Sequence, residues 1–157
     1  MKGSPSLLLV ALLSTPLLAQ AAEPEQCQTV RFSDVGWTDI TVTTATTSVV
    51  LEALGYKTHT TMISVPVTYK SLATGKDLDV FLGNWMPTME NDIKQYRDAG
   101  TVETVRANLE NAKYTLAVPQ ALYDKGLKTF ADIPKFKKEL DGKIYGIEPG
   151  NDGNRTI

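Results

Sequence analysis

From Thr29 onward the chain switches repeatedly between stretches with a strand period and stretches with a helix period, and this alternation narrows its fold more than any other feature. Residues 29–37 (TVRFSDVGW) alternate apolar and polar side chains and predict a first strand. Residues 38–55 are ambiguous, because their threonines suit a strand, yet Val42, Ala45, Val49 and Ala53 recur at helical spacing. Thr38 or Asp39 can cap the start and Gly55 can close the end, so the segment reads as a helix. A second strand is expected over 57–67, stopped by Pro66, followed by a short helix over 67–76. Residues 78–85 (LDVFLGNW) form a continuous apolar run, as a parallel strand covered on both faces requires. Pro87 suits the first turn of a helix over 87–100, with Met89, Ile93 and Tyr96 on one face and Gly100 at the end. Further strands are expected at 113–119 (KYTLAVP) and 143–149 (KIYGIEP), with short helices around Pro134 between them. The sum is an α/β chain with a mainly parallel sheet, and a rise in lysine content after Pro119 places a lobe boundary near 113–120.

The N-terminus carries a different signal. Lys2 precedes an apolar run over 7–18, and Ala19-Gln20-Ala21 supplies a small-x-small cleavage pattern. The run is too short for a bilayer, which takes about 20 residues, so 1–21 reads as a secretory signal peptide and 22–157 as the exported part. The chain has 16 basic and 18 acidic residues, and Lys2 lies within the leader, so the exported part is more acidic still. No basic patch offers a surface to nucleic acid. Cys27 is the one cysteine, and an odd thiol in an exported chain is either free or paired with sequence beyond this chain.

Several chemistries lack their residues. His59 is the one histidine and sits in a run of threonines, with no serine on a nucleophile elbow to complete a triad. A His/Cys metal site would have only His59 and Cys27 to draw on, and Gly150-Asn151-Asp152-Gly153 is not a phosphate loop. What stands out is a set of loop positions. Ligands of open α/β sheets bind beyond the C-terminal ends of the strands. The first strand ends in Gly36-Trp37-Thr38-Asp39, the third in Gly83-Asn84-Trp85-Met86-Pro87, and the last in Gly150-Asn151-Asp152-Gly153; Tyr114 opens the fourth. Aromatic faces attract cations, and a quaternary ammonium, which has no N–H to donate, is held well by rings plus a nearby anion such as Asp39.

These motifs also carry a resemblance. FSDVGWTDI, DVFLGNWMPTME, KYTLAVP and GKIYGIEPGNDGNR together resemble the periplasmic substrate-binding proteins of glycine betaine/choline ABC transporters, most nearly their choline-binding branch. The resemblance runs from about Cys27 to Ile157. It implies a two-lobed type II periplasmic-binding-protein fold that closes on its ligand like a flytrap and presents it to a membrane permease. On that basis 22–112 belong to the first lobe and 113–157 to the crossover and the start of an incomplete second lobe. The resemblance makes Trp37, Trp85 and Tyr114 walls of an aromatic box, sets Asp39 against the cationic charge, and gives Asn151 and Asp152 the choline hydroxyl. It implies a further box tryptophan, and a partner for Cys27, in later sequence, so this chain alone is expected to hold most of the binding determinants without closing the site. The expected protein is a periplasmic binding protein, not an enzyme, with no cofactor and no metal. Glycine betaine is the alternative ligand, disfavoured because Asp39 and Asp152 would repel its carboxylate; an exported choline-ester hydrolase is the alternative of another class.

Overall fold

A computed structural model describes residues 24–156; the leader read at 1–21 lies outside the described residues. After a 3-10 turn at Glu25–Cys27, the elements are β1 (Thr29–Asp34), α1 (Thr38–Ala53), β2 (Lys57–Met62), α2 (Val65–Thr74), β3 (Val80–Phe81), α3 (Glu90–Asp98), α4 (Gln120–Asp124), a 3-10 segment (Phe130–Phe136) and α5 (Gly153–Thr156). The three strands form one parallel sheet in the order β2-β1-β3. β1 pairs along its whole length with β2, from Thr29 opposite Lys57 to Asp34 opposite Met62, and meets β3 through Phe32 opposite Val80 and Ser33 opposite Phe81.

That order has a consequence for the helices. Crossovers between parallel strands are right-handed, so α1, leading from β1 out to β2, and α2, leading back across to β3, lie on opposite faces. The α2 face is marked by the buried Ser33 hydroxyl, 2.6 Å from that of Thr68. Successive strand residues point to opposite sides, so the buried Phe32 serves the other face. The principal apolar cluster joins Val65 and Tyr69 of α2 to Met89 and to Ile93 of α3, all almost fully buried, with Phe81 edge-on to Tyr69 at 5.9 Å. Arg31 fastens β3 to β1: its Nε and backbone N–H donate to Asp79 Oδ2 at 2.8 and 2.9 Å, and its Nη2 donates to Oδ1 at 2.6 Å. The Arg31 guanidinium holds the Asp79 carboxyl below its usual range.

Several expectations change. The first helix forms as read, but α1 is buried through Ile40 and Thr44, while Val42 and Val49 stand out in solvent. Apolar residues are spread around α1 rather than gathered in one stripe, so spacing alone picked the wrong face. Trp37, not Thr38 or Asp39, is its N-cap residue, without a side-chain capping bond. Pro66 sits in the first turn of α2 instead of stopping a strand, where its missing N–H costs nothing. The third strand is two residues rather than eight, meeting β1 only through Val80 and Phe81. α3 starts at Glu90; residues 86–89 form a turn and the Met86–Pro87 peptide is cis. Neither 113–119 nor 143–149 forms a ladder, as no described strand lies alongside to pair with them. Their apolar residues instead flank a groove of about 910 Å3 with Leu127, Phe130 and Ile133. Among the described residues no helix is long and apolar enough to cross a membrane. Cys27 is exposed and unpaired, and His59 lies exposed on β2.

Two changes test this packing. The Thr44 hydroxyl is buried without a hydrogen-bond partner; Thr44→Val keeps the shape and should raise stability by about 1 kcal/mol in a denaturant titration, and a loss would show that the hydroxyl is partnered after all. The depressed Asp79 carboxyl contributes stability that is present above the ordinary carboxylate range and lost as pH falls through the folded value. Asp79→Asn should therefore flatten the acid limb of the stability profile; an unchanged limb would remove Asp79 from it.

Candidate functional site

The site lies where the fold places a crevice. In the order β2-β1-β3 the chain leaves β1 toward one side of the sheet and reaches β3 on the other, so the edge beyond their C-terminal ends is a topological switch point. Trp37 follows β1 and Trp85 follows β3. Together with Asp39, Met89, Tyr114, Ile147, Asn151 and Asp152 they line a cavity of about 200 Å3. All six residues singled out in the sequence are thus brought together, although Tyr114, Asn151 and Asp152 come from a different part of the chain.

Each wall has a local cause. The turn after β1 is built around Asp34, a carboxylate only 4% exposed. It accepts hydrogen bonds from the Gly36 N–H at 2.8 Å and the Thr41 hydroxyl at 2.8 Å, which balances the cost of burying its charge. Gly36 takes a φ of +82°, which a glycine adopts without strain, and the chain then enters α1 with Trp37 at the tip and Asp39 in the first helical turn. Behind Trp85, the buried Tyr69 hydroxyl donates to Asn84 Oδ1 at 2.7 Å with Met89 Sδ 3.2 Å away. The Trp85 N–H points to the same sulfur at 3.3 Å, and its carbonyl accepts from the Met89 N–H and the Thr88 hydroxyl, both at 2.9 Å. Both indoles pack one side against the Val65–Tyr69–Met89–Ile93 cluster and remain half-buried.

Tyr114 closes on Trp85 with ring centroids 6.1 Å apart and planes tilted by 51°. Its hydroxyl lies against the backbone of Gly153, where a Cβ would collide with it. The loop bearing Asn151 and Asp152 is held from two sides. Gly150 packs by its Pro66-facing side against α2, and Arg155 bridges the Gly150 carbonyl at 3.2 Å and the Asp92 carboxylate on α3. Asn151 is buried; its Oδ1 accepts from the Gly153 N–H at 2.7 Å and its Nδ2 donates to Glu148 Oε1 at 2.9 Å.

The electrostatics have one sign. Asp152 is 3% exposed as a residue and lines the cavity, and among the described residues no hydrogen-bond donor meets its carboxylate. Among the described residues no lysine, arginine or histidine lines the cavity. The Tyr114 phenol is pushed up by burial and then by the charges of Asp152 and Glu148; burial, Asp92 and Asp152 push the Tyr69 phenol up in the same way. Such a space, with aromatic walls and a buried unpaired carboxylate, suits a small organic cation. Among the described residues no cluster of His, Cys, Asp and Glu is arranged to hold a metal ion. Sequence reading missed Asp34, Tyr69, Met89 and Glu148. Asp34 and Glu148 are acidic residues within strand-like runs, which is a readable signal; the support from Tyr69 and Met89 depends on tertiary packing.

Residues 28–157 match the OpuAC family, the substrate-binding domain of ABC-type glycine betaine transport systems, and the chain belongs to that family. Its fold is that of the periplasmic binding proteins, and the family is one of transport binding proteins rather than enzymes. Two solved structures are similar. An ABC-transporter choline binding protein in complex with choline is 68% identical at a TM-score of 0.78, over 85% of this chain and 46% of its own. The choline binding protein in an unliganded semi-closed conformation is 67% identical at a TM-score of 0.72, over 83% and 45%. This chain therefore spans about half the length of those solved proteins. An uncharacterized protein, ORF1, of Chromohalobacter salexigens is 51% identical over 146 residues, covering 93% of this chain and 94% of its own length.

The contact at Gly153 gives a direct test of the third wall. Gly153→Ala should push Tyr114 away from Trp85 while leaving the sheet intact. The expected result is altered tryptophan emission with unchanged far-ultraviolet circular dichroism; identical emission would mean that Tyr114 keeps its place.

Proposed function

We propose that this chain carries the ligand-gripping part of the solute-binding component of an ABC importer, and that its ligand is choline. The observation that carries the reading is the combination of Trp37, Trp85 and Tyr114 around one cavity with Asp39 and the unpaired, buried Asp152. Each ring is worth roughly 0.5 to 2 kcal/mol to a quaternary ammonium, more as water is excluded. Asp39, exposed at the rim, complements the charge, while Asn151 and Asp152 take the hydroxyl end, for which Asn151 keeps one donor and one acceptor position free after its bonds to Glu148 and Gly153.

On this reading residues 22–112 form the first lobe and 113–157 begin the second, with ligand and permease meeting outside the cytoplasmic membrane, where proteins of this family act; 1–21 serve as the export signal. The high identity to a choline binding protein supports the ligand. Glycine betaine is the second reading, favoured by the family's description. Its carboxylate would face Asp39 and Asp152 with no basic side chain in the lining to receive it.

Tryptophan fluorescence of the full-length protein, titrated with choline and with betaine, separates the two. Saturable binding is expected for choline and weaker binding for betaine, and the reverse order overturns the assignment. Trp85→Ala should cost at least about tenfold in choline affinity, roughly 1.4 kcal/mol; an unchanged affinity would take Trp85 out of the box.

A further inference from the structure

Glu148 does not line the cavity, yet it touches two residues that do. Its Oε2 accepts the Trp37 indole N–H at 3.2 Å, and its Oε1 accepts the Asn151 side-chain N–H at 2.9 Å. Trp37 and Glu148 are 111 residues apart in sequence, so this side chain joins the tip of β1 to the Asn151 loop. We propose that Glu148 is a positioning residue, a two-oxygen yoke that fixes the Trp37 ring and the Asn151 amide relative to one another; its effect on affinity rests on the reading of the cavity as a choline site.

The argument is one of donor and acceptor count. The indole nitrogen can only donate, and Asn151 has its oxygen committed to the Gly153 N–H, which turns its amino group toward Glu148. Two donors therefore converge on one side chain, and each meets a different oxygen. Only a carboxylate at the end of a glutamate stem satisfies both. A glutamine presents one oxygen and one amino group, so one of the two donors must face another donor. An aspartate keeps both oxygens but is shorter by a methylene and cannot reach the same pair. Hydrogen bonds to a charged acceptor are the strong ones, and here two of them orient one aromatic wall and one polar wall of the same cavity.

Glu148→Gln tests this in the full-length protein, with two measurements. In the ligand-free protein the Trp37 indole N–H resonance should move upfield and its hydrogen exchange should quicken as the bond to the carboxylate is lost. Unchanged resonance and exchange overturn the yoke. In choline titrations Glu148→Gln should weaken binding about tenfold. That loss should shrink when the same change is made in a Trp37→Phe background, which has no indole N–H to hold. An equal loss in both backgrounds would mean that Glu148 acts without its bond to Trp37, and would also overturn the proposal. The outcomes separate from those of the ligand assignment: a moved indole resonance in a protein that ignores choline upholds the yoke and removes choline, whereas tight choline binding with an unmoved resonance does the opposite.

Discussion

Parallel pairing on β1 is the constraint from which the site follows. Two strands running the same way as β1, one on each side, bring every strand end to one edge of the sheet. Because the neighbours lie on opposite sides, the connecting helices go to opposite faces, and a crevice opens where the connections part. The residues just past β1 and β3 are obliged to look into it. What turns that generic crevice into a particular one is the choice of tryptophan at both exits, and the buried Asp34 carboxylate that dictates how the first exit turns.

The negative sign of the site comes from which residues line it, Asp39 and Asp152 with no basic partner among the described lining, rather than from a surplus of acid in the chain. The whole chain carries a formal charge of only −2, and many of its carboxylates are taken up in surface ion pairs such as those of Asp79, Glu90 and Asp132. Asp152 differs because it faces the cavity with no donor partner among the described residues. The neighbouring phenols of Tyr69 and Tyr114 are raised first by their own burial and then by nearby carboxylates, Asp152 among them. Aromatic faces alone would accept a neutral apolar guest as well; on the proposed reading it is the carboxylate that favours a cation.

The α/β class, α1 and the placing of Trp37, Asp39 and Trp85 were legible in the sequence because each rests on a local signal: a period, a glycine, or a large ring at a strand end. Tyr114, Asn151 and Asp152, by contrast, were singled out through the family resemblance and at strands that do not form. The helix face was not legible, since Val42 and Val49 have the right spacing and the wrong side, and packing of Ile40 and Thr44 decided the matter. The 113–119 and 143–149 strands failed for a related reason. A strand is a relation between two segments, and the apolar alternation of one segment cannot reveal whether a neighbour is present. The acidic Glu148 within a strand-like run was a readable signal, but its partner Trp37, 111 residues away, was not.

The bare backbone at Gly153 has a consequence for divergence. The Tyr114 hydroxyl occupies the space that any side chain at 153 would claim, so the two positions cannot drift independently. A side chain gained there must displace the phenol or move the loop, whatever is kept at Trp37 and Trp85. The size of the residue following the Asn-Asp pair therefore bears on how closely a tyrosine can stand against Trp85, and it can be read without knowing the ligand.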